Sequence, residues 1–476
     1  MEKRALIRVH FTEGLVSLAR GLQQLGYLLH AEGAAVAVLR AEAVPHVCTE
    51  GAHDASGYHV VVCNLAPFRD ALQGELLHAQ ALELIDTAGS ALLRSAAIRY
   101  RQTIVLTSPA SYESVLSELV RTGNLPLQWR FRLAREAFAY TSHDEALIQA
   151  YFQGMMPDEG FPQTLTLTYE KVQDLRYGEN PHQTGAFYRE IGAAVGTVVD
   201  AVQLHGDALS YNNLFDANRA VELLKEFDQP AAVVVKDANP CAAALAADVM
   251  TAYLRAFEAD PVSIYGGVVA LSRSVEADLA SEMVKRHLDT VVAPSYSEQA
   301  LEILRTKPRM RVLQLANITQ LLPVGTLDAR RVGGGLLVQQ RDDRTEDAMA
   351  MRVVTKRHPE PEDREELLFA MKVAKHARSN AMVVARHLQT LGIGAGQPNR
   401  VNATRIAIRN GGSACSGAVM ASDAFLTFPD TIEEAAAAGI RTIIQPGGSK
   451  RDADIIDTCN RLQIAMVFTG IRHLLH

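Results

Sequence analysis

The chain is poor in cysteine, in long apolar runs and in positive charge, and each shortage excludes a class of protein. Its 476 residues contain five cysteines, which lie far apart and show no C-x-x-C spacing. This argues against a disulfide framework or a zinc site and agrees with a reducing compartment. A net charge of −7 gives no global attraction to nucleic acid or to an anionic membrane. No run approaches the roughly 18 apolar residues of a membrane span, and the start has no apolar segment of signal-peptide length, so we expect a cytoplasmic protein.

The hydrophobic pattern that is present predicts an α/β protein of two or three domains, because 476 residues exceed one ordinary core. The apolar runs that predict buried strands near the start lie at residues 4–9, 58–63 and 102–107. Helical patterns follow these runs, and strands that alternate with helices are typical of a doubly wound parallel sheet. Later in the chain, two similar apolar units at residues 231–240 and 442–448 predict a duplicated α/β region.

The most informative stretch is Lys236-Asp237-Ala238-Asn239-Pro240-Cys241, which follows an apolar run at residues 231–235. It sets an ammonium and a carboxylate side by side where a buried strand ends. In open α/β sheets, ligands bind at the carboxyl ends of the strands. The charged pair therefore predicts a functional site.

Five other strings accompany this stretch. In chain order they are Leu175-Arg176-Tyr177-Gly178-Glu179-Asn180-Pro181-His182-Gln183, Leu209-Ser210-Tyr211-Asn212-Asn213-Leu214, Ala421-Ser422-Asp423-Ala424-Phe425, Ile443-Ile444-Gln445-Pro446-Gly447-Gly448-Ser449 and Phe468-Thr469-Gly470-Ile471-Arg472-His473. Together they resemble the bifunctional purine biosynthesis family that formylates aminoimidazole carboxamide ribonucleotide (AICAR) and closes the product to inosine monophosphate (IMP). The resemblance covers essentially the whole chain.

The resemblance implies both the fold and the domain limits. It implies a methylglyoxal-synthase-like, doubly wound domain at residues 1–129 and a helical linker at 130–164. A duplicated, cytidine-deaminase-like transformylase region then divides into residues 165–340 and 341–476. The charged stretch at residues 341–364 is expected to be a solvated linker.

The N-terminal domain departs from the family at the loops that would bind a nucleotide. The family's Ser-Asp-Lys-Thr-Gly loop is here His10-Phe11-Thr12-Glu13-Gly14, and its Thr-Gly-Gly-Thr loop is Glu32-Gly33-Ala34-Ala35. Its Lys-Thr-Leu-His-Pro segment is reduced to a connector at residues 51–57, and no lysine lies between Lys3 and Lys171. Because the family holds a phosphate with lysines and backbone amides, we expect a degenerate domain without cyclohydrolase activity.

The catalytic residues implied by the resemblance are Lys236, Asp237 and Asn213. Formyl transfer to an aminoimidazole amine needs close placement, removal of a proton and a donor for the developing oxyanion. The family has a histidine where this chain has Asp237. An aspartate accepts a proton, but its reference pKa of about 3.9 makes it a poor donor near neutral pH.

Binding residues follow from the same motifs. The resemblance implies that Arg176, Tyr177, Arg400 and Arg472 bind the nucleotide substrate, and that Asp423 and Phe425 contact a folate. It further implies 10-formyltetrahydrofolate as the formyl donor, a homodimer with sites at its interface, and no metal ion.

The sequence therefore predicts a formyltransferase that acts on AICAR or a close heterocyclic analogue. One alternative is formylation of a purine-like compound in a specialised nucleoside pathway. Another is a catalytically silent paralogue that binds nucleotide or folate and regulates a partner, which the loss of the histidine favours. A deaminase is disfavoured because the His/Cys/Cys zinc signature is absent.

Overall fold

The computed structural model divides the chain into two compact units. Described residues are 2–69, 76–155, 160–191, 194–346 and 350–476. The first unit is Met1–Glu170 with Glu190–Ala193, and the second is Lys171–Arg189 with Ala194–His476. Within the described ranges, no helix has the length and apolarity needed to cross a bilayer.

The first unit contains a parallel five-stranded sheet of order β3-β2-β1-β4-β5. Its strands are β1 (Lys3–Arg8), β2 (Tyr27–Glu32), β3 (Val47–Cys48), β4 (Val60–Cys63) and β5 (Ile104–Leu106). The chain builds outward from β1 in both directions, which is the winding of a doubly wound sheet. These strands confirm those predicted at residues 4–9, 58–63 and 102–107. The pattern was informative because the strands of a sheet covered on both faces are continuous runs of valine, isoleucine and leucine.

Helices connect the strands of the first unit. They are α1 (Leu15–Gln24), α2 (Ala34–Ala41), α3 (His78–Glu83), α4 (Thr87–Ile98), α5 (Tyr112–Thr122) and α6 (Leu127–Met155). Helix α6 covers most of the predicted linker 130–164, of which residues 156–159 lie outside the described ranges. Its Leu133, Ala134 and Ala137 join the buried core of the first unit.

The second unit is built on a twelve-stranded mixed sheet of order β16-β21-β20-β19-β17-β18-β10-β9-β11-β12-β13-β8. Two-stranded sheets accompany it: β6 (Tyr169–Leu175) with β7 (Gly185–Glu190), and β14 (Leu327–Val332) with β15 (Gly335–Gln340). The large sheet contains β8 (Val202–His205), β9 (Ala231–Lys236), β10 (Asn239–Leu245), β11 (Val268–Leu271), β12 (Thr290–Ala293), β13 (Arg311–Gln314), β16 (Arg352–Val353), β17 (Met382–Arg386), β18 (Gln389–Gly394), β19 (Val419–Ser422), β20 (Thr442–Gln445) and β21 (Ala465–Phe468). Its helices are α7 (Tyr211–Leu224), α8 (Val249–Ala259), α9 (Ala277–Met283), α10 (Glu298–Leu304), α11 (Asp363–His376), α12 (Arg400–Gly411), α13 (Asp430–Ala437) and α14 (Asp452–Arg461).

The large sheet repeats one arrangement twice. In the first half a helix, α7, precedes the antiparallel hairpin β9–β10; β11 pairs antiparallel with β9, and β12 and β13 follow in parallel. The second half repeats this order with α11, β17–β18, β19, β20 and β21. Strands β10 and β18 join the halves.

The repeat corrects one detail of the predicted duplication. The sequence pairs residues 231–240 with 442–448, whereas the counterpart of β9–β10 is β17–β18, and β20 corresponds to β12. The prediction was wrong because short apolar runs ending near proline look alike whether the strand belongs to a hairpin or to a parallel crossover.

The charged stretch at residues 341–364 also differs from the expectation of a solvated linker. Arg341 donates to the buried Glu222, and Lys375 Nζ donates to the Arg344 carbonyl at 2.9 Å. The Asp363 side chain at the start of α11 is fully buried and accepts a hydrogen bond from Arg441 Nε at 2.8 Å. Residues 347–349 of the stretch lie outside the described ranges. The stretch is therefore anchored at these points, while others of its charged residues, such as Asp343 and Glu362, are exposed as expected.

Candidate functional site

The Lys236-Asp237 pair lies at a tight hairpin turn. Asp237 and Ala238 connect β9 to β10 with φ angles of 51° and 66°, the positive values that a type I′ turn requires. Strand β9 runs antiparallel to β11, so its carboxyl end lies beside the amino ends of β11 and β12. The expectation that the pair ends a strand is confirmed. The rule that ligands bind at the carboxyl ends of parallel strands does not apply here, because β9 is antiparallel to both of its neighbours.

A carboxylate from helix α7 holds the turn. Asp216 Oδ1 accepts the Ala238 N–H at 2.7 Å, and its Oδ2 accepts the Asp237 N–H at 3.2 Å. Burial raises the pKa of Asp216, and the charges of Asp237 and Asp289 add to the rise, against the lowering by these two hydrogen bonds. Three carboxylates therefore lie close together at the turn. The neighbouring Lys236 directs its ammonium elsewhere, since its Nζ donates to the Tyr265 carbonyl at 2.8 Å.

The second half carries a matching turn. His387 and Leu388 have φ angles of 55° and 57°, and the His387 N–H donates to Glu366 Oε1 of α11 at 2.7 Å. Arg386, in the place of Lys236, donates to the Ser416 carbonyl at 2.9 Å. Ser416 and Tyr265 each lie three residues before the next strand, β19 or β11. Part of what Lys236 and Asp216 do is therefore structural.

We expect Asp216→Ala to lower kcat for the formyl transfer that the sequence predicts about 10- to 100-fold, because a displaced turn misplaces the reacting groups. The Asp237 and Ala238 amides should also exchange with deuterium faster. Glu366→Ala is the matched control, since both variants lose hydrogen bonds to a charged group, worth about 1.5–3 kcal/mol each. Equal losses of kcat in the two variants would show that the effect is one of stability and not of positioning.

Asn213 is brought to the same region by the start of helix α7. Its Oδ1 accepts from Ser210 N and Ser210 Oγ at 2.9 and 2.8 Å, which caps the helix. Its Nδ2 donates to Asp289, and Asp289 also accepts a hydrogen bond from Arg311 NH1 at 2.7 Å. Asn213 is thus a buried helix cap that positions Asp289, and its contact with a substrate stays a prediction.

An open cleft of about 510 Å³ adjoins this network and is lined by Arg176, Asp207, Ala208 and Arg309. Arg311 Nε donates to the Ala208 carbonyl at 3.2 Å, so one arginine joins the cleft to Asp289. Two guanidiniums facing one cleft suit a phosphate or carboxylate.

The loop that presents Arg176 is held by its own side chains. Asn180 N and Asn180 Nδ2 both donate to Gln183 Oε1, at 2.9 and 3.0 Å. The Arg176 guanidinium lies 5.7 Å from the Tyr177 ring centroid, and Asn212 Nδ2 donates to the Glu179 carbonyl at 3.4 Å. The last contact ties the loop to the start of helix α7, near Asn213.

The predicted folate residue Asp423 is completely enclosed. It accepts from Ser379 Oγ and from Arg400, which also donates to Ser422 Oγ at 3.1 Å. Arg400, predicted to bind the substrate, thus already has a carboxylate partner within the chain. Their ligand contacts stay predictions, and the observed role of the pair is to fix the ends of β17, β19 and α12.

Phe425 and Arg472 remain accessible. Phe425 is 37% exposed, and Arg472 is exposed without a hydrogen bond or ion pair to any described residue. Both are available to a ligand or a second copy of the chain, whereas Asp423 is not.

Sequence reasoning missed a buried histidine beside Arg472. His473 is 1% exposed, and its Nδ1 and Nε2 lie 2.6 Å from Asp342 and 2.8 Å from Glu346. Burial alone would lower its pKa, but the hydrogen bonds to the two carboxylates raise the pKa to about 9. The imidazolium therefore fastens the C-terminal segment to residues 342–346.

We expect stability to fall as pH rises from about 7 to 9.5. The folded-state pKa of His473 lies above the unfolded value, so its contribution is complete below about pH 6.5 and is lost as pH passes through about 9. At pH 7 this contribution is about 2–3 kcal/mol. Thermal unfolding of His473→Gln should show the lower stability and a flatter pH dependence. A similar flattening in His358→Gln, at an exposed histidine, would contradict the assignment.

Asp216, Asp289 and Arg311 were also missed. Asp289 and Arg311 lie at the amino ends of β12 and β13, whereas the predicted ligand sites lie at the carboxyl ends of strands. The available signal was the three-residue spacing of Asn213 and Asp216, which places both on one face of a helix.

Comparisons with known proteins identify the family of the chain. A family model described as AICARFT/IMPCHase bienzyme matches residues 96–410. The Bifunctional purine biosynthesis protein PurH of Acetivibrio thermocellus is 44% identical over 514 positions, covering all of both chains. PurH of Ruminiclostridium cellulolyticum is 47% identical over 88% of this chain and 81% of its own. PurH of Thermoanaerobacter sp. strain X514 is 40% identical over the full length of both. A crystal structure titled ForH covers 32% of this chain at 22% identity with a TM-score of 0.27, a likeness too small to support a conclusion.

The fold is a mixed α/β fold, and its first hairpin turn joins Lys236 to Asp237 near two further carboxylates, Asp216 and Asp289. The chain belongs to the AICAR transformylase/IMP cyclohydrolase family, an enzyme family of purine biosynthesis.

Proposed function

We propose that this protein is a formyltransferase that uses 10-formyltetrahydrofolate to formylate AICAR, or a closely related heterocyclic amino-carboxamide ribonucleotide, and that it lacks IMP cyclohydrolase activity. The observation that carries the proposal is a contrast between the units. The second unit presents Lys236 and Asp237 at an accessible turn. In the first unit, ion pairs within the chain fill the carboxyl edge of the parallel sheet, which is here called the ligand edge.

The ligand edge of the first unit carries excess negative charge. Arg8 ends β1 and Glu32 ends β2, so both lie at the carboxyl edge of the parallel sheet, where ligands bind in this class of fold. Arg8 Nε is 2.5 Å from Glu32 Oε1, and Arg8 NH1 donates to Asp86. Although burial lowers the pKa of Arg8, Asp86 raises it overall. Two carboxylates share one guanidinium, which opposes binding of a phosphate.

Backbone donors at that edge are also occupied. Asn64 Oδ1 accepts from His10 N and Phe11 N at 2.6 and 2.8 Å. The connector at residues 51–57 is fastened by Ala52 N, which donates to Glu32 Oε2 at 3.0 Å. The amides that would hold a nucleotide phosphate in the loop are therefore used within the chain.

The second unit offers the groups that formyl transfer requires. The Lys236 ammonium can stabilise the oxyanion that forms at the formyl carbon, and Asp237 beside it can accept the amine proton. The cleft at Arg176 and Arg309 suits the nucleotide phosphate. The formyl group passes from the donor nitrogen to the substrate amine, and tetrahydrofolate leaves.

One observation favours the alternatives of a purine-like substrate in a specialised pathway or a silent, regulatory paralogue. Asp237 replaces the family's histidine among the acidic neighbours Asp216 and Asp289. An aspartate, with a reference pKa of about 3.9, supplies a proton near neutral pH less readily than an imidazole.

A homodimer is part of the proposal, and the hairpin β14–β15 supports it. Leu336 and Leu337 of this hairpin are 41% and 63% exposed. An isolated two-stranded hairpin is marginally stable in water, so burial against a second copy would stabilise it.

The test is a formyl-transfer assay with 10-formyltetrahydrofolate and AICAR, with products identified by mass spectrometry. We expect a product one CO heavier that persists without ring closure, and no IMP when the formylated intermediate is supplied directly. PurH of Acetivibrio thermocellus serves as the bifunctional control. IMP production at the rate of that control would overturn the cyclohydrolase part. Absence of turnover with calorimetric binding of both ligands would favour the alternatives.

A further inference from the structure

Three arginines of the second unit lie close enough to influence one another electrostatically. They are Arg219 on helix α7, Arg330 on strand β14 and Arg378 in the segment between α11 and β17. Burial lowers the pKa of Arg219, and repulsion from Arg378 and Arg330 lowers it further. Guanidiniums that repel one another through a partly buried region are costly unless an anion joins them.

The neighbouring carboxylates Glu222 and Asp328 offset part of the positive charge around Arg219, but the net effect on its pKa is still a lowering. Glu222 is already paired with Lys225 at 3.0 Å and with Arg341. Asp328 accepts from Gln339 at 3.2 Å and lies 3.8 Å from Arg330 Nε. Glu222 is therefore shared with cations outside the cluster, and Arg330 has partners of its own in Asp328 and the His476 carbonyl.

Two of the arginines also lack hydrogen-bond partners. Arg219 Nε is buried without a partner, and the Arg378 guanidinium has no hydrogen bond or ion pair to any residue of the described ranges. The backbone of Arg378 is fixed, since its N–H donates to Asn239 Oδ1 at 3.1 Å and its carbonyl accepts from Gly396 N at 2.6 Å. Donors held in place without acceptors are typical of a binding site that has no ligand in it.

The cluster continues from the candidate catalytic site. Asn239, which holds Arg378, directly follows the Asp237-Ala238 turn, and Arg219 lies one helical turn beyond Asp216. Helix α7 presents Tyr211, Phe215 and Arg219 at four-residue spacing. The rings of Tyr211 and Phe215 stack at 6.4 Å, and the Arg219 guanidinium lies 5.4 Å from the Phe215 ring centroid. From Tyr211 to Arg219 this stripe is about 12 Å long at about 1.5 Å per residue.

We propose that Arg219, Arg330 and Arg378 form an oxyanion subsite for one of the substrates, and that it receives the glutamyl carboxylates of the formyl donor. The assignment to the donor rests on the proposed function. An aromatic stripe that ends in arginines matches an aminobenzoyl ring followed by carboxylates. The phosphate of the amine substrate shares this oxyanion chemistry, but the separate cleft at Arg176 and Arg309 is available to it.

The kinetic test compares Arg219→Gln and Arg378→Gln with the wild-type protein. We expect the KM for 10-formyltetrahydrofolate to rise about 10-fold or more in each variant with little change in kcat, because one charge-assisted contact is lost. The rise should be larger with the triglutamate form of the donor and smaller at high salt. The matched control is Arg405→Gln, which removes a surface arginine paired with Glu434 at 2.8 Å.

The arms of the experiment distinguish the two sources of the anion. A rise confined to the KM for AICAR would keep the oxyanion subsite and assign it to the phosphate. Unchanged KM values for both substrates, as expected for Arg405→Gln, would overturn the proposal. Thermal unfolding of each variant excludes misfolding as the cause.

A binding measurement separates failure of this inference from failure of the proposed function. If the wild-type protein shows no turnover, calorimetry with tetrahydrofolate triglutamate and with inorganic phosphate tests the subsite directly. Loss of binding of either probe in both arginine variants, with retention in Arg405→Gln, would support the subsite although formyl transfer had failed. Equal binding by the wild type and the variants would overturn it.

Discussion

Replacing Lys236 with methionine is expected to lower kcat for formyl transfer about 100- to 1000-fold, the usual effect of removing one donor from a developing oxyanion. Methionine has nearly the length of lysine but no charge or hydrogen-bond donor. Lys236 is partly exposed at the end of β9, and its observed bond goes to the Tyr265 carbonyl. The variant should therefore fold, and the KM for either substrate should change less than kcat.

The second half of the same sheet supplies the matched control. Arg386→Met removes the equivalent bond, from Arg386 to the Ser416 carbonyl, at a turn that carries none of the proposed chemistry. Its activity should stay within a few-fold of the wild-type value, although both variants lose one side-chain contact of the same kind. A comparable loss of kcat in Arg386→Met would mean that Lys236 acts through the structure of the sheet.

Asp237→His is expected to raise AICAR formylation about 10-fold or more, because general acid-base catalysis by a well-placed group contributes about 100- to 10,000-fold and an imidazole both accepts and returns a proton near neutral pH. The turn should tolerate the change. His387 occupies the equivalent position with a φ of 55°, and the bond from residue 237 to Asp216 uses the backbone N–H. The rate should follow a bell-shaped pH profile that the wild-type protein lacks.

Asp237→Asn is the control for this substitution. Asparagine fits a positive φ and keeps a hydrogen-bonding side chain, but it transfers no proton. We expect its kcat to fall below that of the wild type. If Asp237→His binds both ligands and shows no gain, loss of the proton shuttle is not what limits AICAR formylation, and an altered substrate becomes the better explanation.

The sheet of the first unit could be predicted because its strands are continuous buried runs, such as the all-valine interior of β4. The hairpins of the second unit could not. Asp237-Ala238 and His387-Leu388 contain no glycine or asparagine, the residues that signal a type I′ turn. Their backbone conformation is stabilised instead by carboxylates 21 residues earlier in the chain, a relation that local sequence does not reveal.

The candidate site was predictable only in part for the same reason. Lys236, Asp237, Asn213 and Arg176 lie in recognisable motifs, and their joint role as a site stays a prediction. Asp289 comes directly before an apolar strand and lies in no recognisable motif. Its hydrogen bond with Asn213 depends on the antiparallel pairing of β9 with β11, which the local sequence does not reveal. His473 acquired significance only because two acidic residues more than 120 positions away fold onto it.

The two matching turns show that the side chain at the tip of each hairpin can change while the backbone stays in place. Each hairpin holds its tip through backbone amides and a helix carboxylate, so the displayed side chain contributes little to its own placement. A mutation at position 237 can therefore exchange one chemistry for another without rebuilding the frame, and selection can act on the tip alone. The His387 tip shows that the same frame accommodates an imidazole, so one substitution would place a histidine at position 237 without a change of backbone.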